Sequence, residues 1–120
     1  MGVSFYPRVE NTPEDWTRQI SGKALARYYD RLQRLIKKQG HRDLMAFYVP
    51  HAEEMTASDR EEWFNPMEGI GIIEAMTKVL EERRTEFDSY DRLMEDLQDF
   101  RTILDRAAAI GRRWNLAMDV

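Results

Sequence analysis

Three groups of side chains carry residue types that catalysis or metal binding could use. His41-Arg42-Asp43-Leu44 has the letters of a kinase catalytic loop, whose aspartate would serve as the base. Its context does not fit. The asparagine position is Tyr48, no glycine-rich loop exists, and 120 residues are less than half a kinase. The match is read as chance, and the residues as a turn after the first helix. His51, Glu53 and Glu54 are candidate ligands for a divalent metal, but their spacing fits no helical zinc motif and the only other histidine is His41. The expectation is a solvated acidic loop after Pro50, unless folding brings Asp59 or Glu62 beside His51. Carboxylate pairs recur at Glu53/Glu54, Glu61/Glu62, Glu81/Glu82 and Asp88/Asp91. Acid–base catalysis needs two such groups across a cleft, one with a displaced pKa, and neighbours on an exposed helix have neither. There is no cysteine, no phosphate-cradling loop, no Gly-x-Ser-x-Gly and no histidine paired with a nucleophile. The expectation is no catalytic residue, no metal site and no cofactor.

Side chains suited to recognition are better represented. Trp63-Phe64 follows an acidic stretch, and aromatic residues flanked by charge serve as binding anchors because they bury much area at low entropy cost. Trp63 also stands two residues before a helix cap, where it could staple onto that helix, so core and interface both remain open. Trp16 poses the same choice. Lys23, Arg27, Arg31, Arg34 and Lys38 recur at spacings of 4, 4, 3 and 4, inside an arc of about 80° on a helix. That stripe is either a solvated face answered by the protein's own acidic half or a docking face for an acidic partner. Residues 1–50 carry a net charge of +4 and residues 51–120 a net of −8. The overall −4 disfavours nucleic acid, whose phosphates demand clustered positive charge. The longest stretch without Asp, Glu, Lys or Arg is nine residues, 44–52, against the ~20 of a membrane helix. With no secretory signal visible, the expectation is a cytoplasmic protein without membrane contact. Arginine outnumbers lysine fourteen to four, as interfaces or a G+C-rich genome would both produce.

These side chains must be held by a small set of elements. Residues 3–9 alternate as a short strand, with Pro7 marking an edge position or an early end. A first helix is predicted over 23–39, with Leu25, Tyr28, Tyr29, Leu32, Leu35 and Ile36 sharing one face and Gly40 placed to stop it. Residues 44–49 read equally as a buried strand or a short helix. Asn65-Pro66-Met67-Glu68 starts a second helix over 66–83, with Asn65 as cap, Pro66 in the first position and Glu68 reaching back to the cap. Gly69 and Gly71 weaken its first turns, and either a close helix contact or a ragged helix start would account for them. Leu93, Leu97, Phe100, Leu104 and Ala107 define a third helix over 89–110, capped by Asp88 or Ser89 and ended by Gly111. Trp114, Leu116, Met118 and Val120 then alternate with polar or small residues as a terminal strand with one buried face.

The segments Gly2-Val3-Ser4-Phe5-Tyr6, Glu62-Trp63-Phe64-Asn65-Pro66-Met67-Glu68-Gly69 and Trp114-Asn115-Leu116-Ala117-Met118-Asp119-Val120 together resemble a family of small bacterial proteins with no assigned activity. Pro7 departs from that pattern, whose strand should continue. The resemblance implies a single bacterial domain and brings no catalytic residue with it.

The expected fold is α+β: one domain, 1–120, with three main helices on one face of a two- to three-stranded sheet formed by the N- and C-terminal strands. The expected function is a protein-interaction or regulatory module, an immunity or antitoxin protein being a special case. Its partner is another protein or a second copy of the chain, and its candidate contacts are Trp63, Phe64, Arg27, Arg31 and Arg34. Homodimerisation could use a helix face or the edge of strand 3–9. The alternative is a small-ligand binder or hydrolase with a site beside the acidic 51–65 loop.

Overall fold

Residues 3–12, 16, 20–49 and 62–119 are described by a computed structural model. Along the chain run β1 (Ser4–Val9), α1 (Lys23–Ile36), α2 (Pro66–Glu82), α3 (Tyr90–Ala109) and β2 (Trp114–Asp119), with 3-10 turns at Lys37–Gln39, Leu44–Phe47 and Arg84–Glu86. The two strands pair antiparallel, from Ser4 opposite Asp119 to Val9 opposite Trp114, so the first and last elements meet as the sequence predicts. The three helices pack with this sheet, and the fold is α+β. Among the described residues, no helix is long and apolar enough to cross a membrane.

β1 is the outer strand, and its outer edge is already blunted. The Phe5 N–H donates to Gly22 O at 3.0 Å, Pro7 has no N–H, and Val9 O accepts from Thr12 Oγ1 at 2.8 Å. Pro7 therefore sits inside the strand without losing a ladder bond, and the edge offers a second copy few open groups. β2 has neighbours on both sides. Opposite β1, Phe64 exchanges two backbone hydrogen bonds with Trp114 (2.8 and 2.9 Å), and Val49 N–H donates to Leu116 O at 3.2 Å. Residues 44–49 thus combine both readings: a 3-10 turn capped by Asp43, then an extended Tyr48 in a single parallel bridge with Leu116.

That covering corrects the expectation of one buried face for the terminal strand. Trp114, Asn115, Leu116 and Ala117 are all buried, because residues 62–64 return over the strand. The first helix also ends differently: α-geometry stops at Ile36 and the last turn tightens to 3-10 before Gly40, at φ 81°.

α2 is the most deeply buried of the three helices. The Asn65 carboxamide caps it, accepting from Met67 N–H at 2.9 Å, and Pro66 occupies its first position. Glu68 does not complete the capping box. Its carboxylate instead faces Arg42 at 3.4 Å. Ile70, Ile73, Met76 and Leu80 are buried in succession, and Gly69 lies against Trp114 and Leu104. α3 buries its predicted seam and ends in paired bonds, Gly111 N–H to Ala108 O and Arg112 N–H to Ala107 O. With Gly111 at φ 69°, this is the reciprocal closure that releases a helix into the next strand. At the centre, Trp114 stacks on Phe47 with centroids 5.0 Å apart and meets Phe100 edge-on at 5.8 Å. Its indole N–H donates to Asn65 O at 3.1 Å, so this large side chain is buried with its polar atom satisfied.

Candidate functional site

α1 buries Leu25, Leu32 and Ile36, and the helical period then turns its cations outward. Its first turn has no side-chain cap of its own, because Gly22 occupies that position. The cap comes from α3: buried Asp96 accepts from Gly22 N–H at 3.2 Å and from Leu25 N–H at 3.1 Å. Gly22 is required there. Its φ is 67°, and a side chain would begin 2.0 Å from Phe5 O. One carboxylate on α3 therefore fixes where α1 begins and which face it shows.

Lys23, Arg27, Arg31 and Arg34 stand on α1 and Lys38 on the 3-10 turn that follows it, and the five differ in how the fold answers them. Arg31 is answered inside the fold: its guanidinium donates to the Glu86 carbonyl and carboxylate, both at 2.9 Å, and lies 4.5 Å from the centroid of the Phe87 ring. Arg27 and Arg34 are exposed. Arg27 sits beside the ring of its own neighbour Tyr28, and Arg34 donates to the Asp30 carbonyl one turn back. Lys23, Arg27, Arg34 and Lys38 have no carboxylate partner among the described residues. Elsewhere the cations are mixed, since Lys78, Arg84, Arg92, Arg106 and Arg112 have no ion pair among the described residues. Arg42, Arg83, Arg101 and Arg113 each face a carboxylate, on Glu68, Glu86, Glu74 and Glu10 respectively.

Two clefts open on this helix, one at each side of the anchored Arg31. The first, about 340 Å³, lies between the first turns of α1 and α3 and includes Lys23 and Arg27 with Arg92 from α3. The second, about 620 Å³, includes Arg34 and Lys37 with Tyr29, His41 and Asp43. In the second, Tyr29 donates its hydroxyl to Asp43, which also accepts from Met45 N–H. Burial, and then the Asp43 acceptor, hold the Tyr29 phenol above the ordinary range. A phenol raised by folding stabilises the fold while protonated. The contribution is complete below the unfolded value of about 10 and fades as pH climbs through the folded one. In an alkaline titration followed by phenolate absorbance, Tyr29→Phe should remove the high-pH end of the curve. An unchanged upper limb would mean that the phenol ionises normally.

The predicted aromatic anchors are neither free nor fully buried. Phe64 is half-buried, edge-on to Phe47 at 5.0 Å, with Arg42 5.4 Å from its ring centroid. Trp63 is half-buried beneath Arg8, whose guanidinium lies 5.7 Å from the ring centroid. Trp16 packs against the cluster of Val9, Ile103 and Ala107 under Arg106. The kinase-like letters serve local structure: Arg42 pairs with Glu68, and Asp43 caps the 3-10 turn. His51, Glu53, Glu54 and Asp59, with most of the loop proposed for a ligand or metal, lie outside the described residues. Among the described residues, no three His, Asp or Glu side chains gather where they could hold a metal ion.

Sequence reasoning missed Asp96, Asn115 and Arg92. Asn115 is fully buried on the sheet face opposite the helices, its Nδ2 donating to Glu62 O at 3.0 Å; its Oδ1 has no partner among the described residues. Comparisons with protein-family models, curated proteins and solved structures return no match.

Proposed function

We propose that this chain is a cytoplasmic protein-interaction module that docks an acidic protein surface along α1. The observation that carries the reading is the contrast in charge pairing: Arg31 is answered by Glu86, whereas Lys23, Arg27, Arg34 and Lys38 face solvent without a carboxylate among the described residues. Unpaired guanidinium groups keep their forked donors available for carboxylates. The exposed α1 positions are Lys23, Arg27, Asp30 and Arg34, all charged. Attraction is therefore electrostatic, fast in association and sensitive to salt. The anchored Arg31, and the tertiary cap on Asp96, keep the helix rigid, so little ordering entropy is lost on docking.

The test is capture from native lysate at low and high salt, comparing the wild type with Arg27→Glu/Arg34→Glu. Both positions are exposed and outside the core, so the variant should melt like the parent. The expected result is one stoichiometric acidic protein, retained at low salt and released at high salt, with affinity for the variant lower by roughly tenfold or more. Equal retention by wild type and variant would end the α1 reading. If Trp63→Ala lost the partner while the charge variant kept it, the aromatic segment would be the contact instead.

A further inference from the structure

We propose that the cleft between the first turns of α1 and α3 is a binding site for a dianionic oxyanion, a phosphoryl group above all. The inference goes beyond the docking face, because one of its three cations, Arg92, stands on α3.

Lys23, Arg27 and Arg92 line this one cleft of about 340 Å³ together with the hydroxyl-bearing Ser21 and Ser89. All three cations are exposed, and none has an ion-pair partner among the described residues. The cleft stands at the lower end of ligand-pocket sizes, large enough for a phosphoryl group and a short stretch of what carries it. Two guanidinium groups and an ammonium supply forked and point-like donors. The serine hydroxyls add donors that an oxyanion can use and a cation cannot.

Two carboxylates share the cleft, and they act differently. Asp96 is buried, and both of its oxygens already accept backbone N–H groups, from Gly22 and Leu25. It therefore takes up the α1 start and leaves the ligand contacts to side chains. Glu95 is exposed. With Asp96 it sets three cations against two carboxylates. Burial pushes up the neighbouring Asp99 carboxyl, with help from Glu95 and Asp96, and this negative charge on α3 opposes an anion, so the three cations must outweigh it. Coulombic attraction to the three cations grows with ligand charge, and two guanidinium forks match the geometry of phosphate. A phosphate dianion should therefore bind ahead of a single carboxylate.

Titration of the full chain with inorganic phosphate, followed by amide resonances at constant ionic strength, tests this without any protein partner. Failure of the docking reading therefore leaves the result standing. Saturable shifts at Ser21, Lys23, Arg27, Ser89 and Arg92 are expected, with acetate binding more weakly. Arg92→Gln should weaken phosphate binding by about tenfold or more. Arg34→Gln, on α1 but outside this cleft, should change it less than about twofold. A parallel arm uses an acidic peptide carrying phosphoserine and its unphosphorylated twin. Tighter binding of the phosphopeptide than of phosphate assigns the phosphoryl group to a partner protein, and no gain assigns it to a small molecule. Non-saturable shifts, or equal weakening by Arg92→Gln and Arg34→Gln, would reduce the effect to diffuse charge and overturn the site.

Discussion

Replacing Asp96 by alanine should lower the unfolding free energy by roughly 3 kcal/mol, one of the largest single-residue losses outside the apolar core. The side chain is 4% exposed and accepts two backbone hydrogen bonds at the start of α1. Each bond to an ionised acceptor is worth about 1.5–3 kcal/mol. The two losses do not simply add, because both bonds go to one carboxylate and the start of α1 can relax once it is removed. Leu25 is fully buried, and its N–H keeps most of the penalty. No local group can take over, since Gly22 stands at the cap position and offers no side chain. Asp96→Asn keeps one acceptor oxygen but turns an amide donor toward the second N–H, so it should lose most of the same amount. Urea unfolding measures both, as a shift in midpoint with unchanged slope. A loss below about 1 kcal/mol for the alanine variant would mean that the tertiary cap is not formed in solution. Hydrogen exchange sharpens the test, because the fold loosened by Asp96→Ala should lose protection first at the α1 start.

The same residue shows where sequence reading stops. Position 96 lies three residues after Leu93 and four before Phe100, on the seam that predicted α3, so its inward direction was legible from spacing alone. Its purpose was not, because the groups it caps lie 74 and 71 residues earlier in the chain. Local signals behave well by contrast. The Asn65-Pro66 start, the α3 seam, the Gly111 stop and the meeting of first and last strands all rest on contacts within a few residues or on simple alternation. Individual side-chain pairings across the fold escape that logic. Glu68 turns to Arg42 rather than to its own helix start. Asn115 has the alternation of a surface residue, yet it is sealed by the backbone of Glu62. The basic stripe was legible as a stripe. Which of its members the fold answers depended on Glu86, 55 residues beyond Arg31. Arg92 entered the candidate site only because α3 brings it to the first turn of α1.

The two glycines near the start of α2 should respond to alanine with opposite signs. In a helix interior, alanine is favoured over glycine by about 1 kcal/mol, and that gain is the same at both sites. The surroundings are not. A methyl group on Gly69 would begin 2.6 Å from Trp114 Cζ2 and 2.8 Å from Leu104 Cδ1. Neither neighbour can withdraw: both are fully buried, and Trp114 is held by its stack on Phe47 and its hydrogen bond to Asn65 O. Forcing a methyl into such a contact costs about 1–3 kcal/mol or more. A clash against two immobile groups belongs at the upper end, so Gly69→Ala should destabilise the protein by roughly 2 kcal/mol net. At Gly71 the new methyl would meet only the His41 ring, at 3.3 Å. His41 is exposed and can rotate away, so the propensity gain survives and Gly71→Ala should stabilise by roughly 0.5–1 kcal/mol. Paired urea titrations decide the matter, because the sign is read within one helix and one denatured state. Gly69→Ala as stable as the parent would show that α2 can shift off Trp114, and the close approach would then be incidental to the fold. A loss at Gly71 would place His41 in a fixed position, making it a structural part of the second cleft rather than a mobile rim.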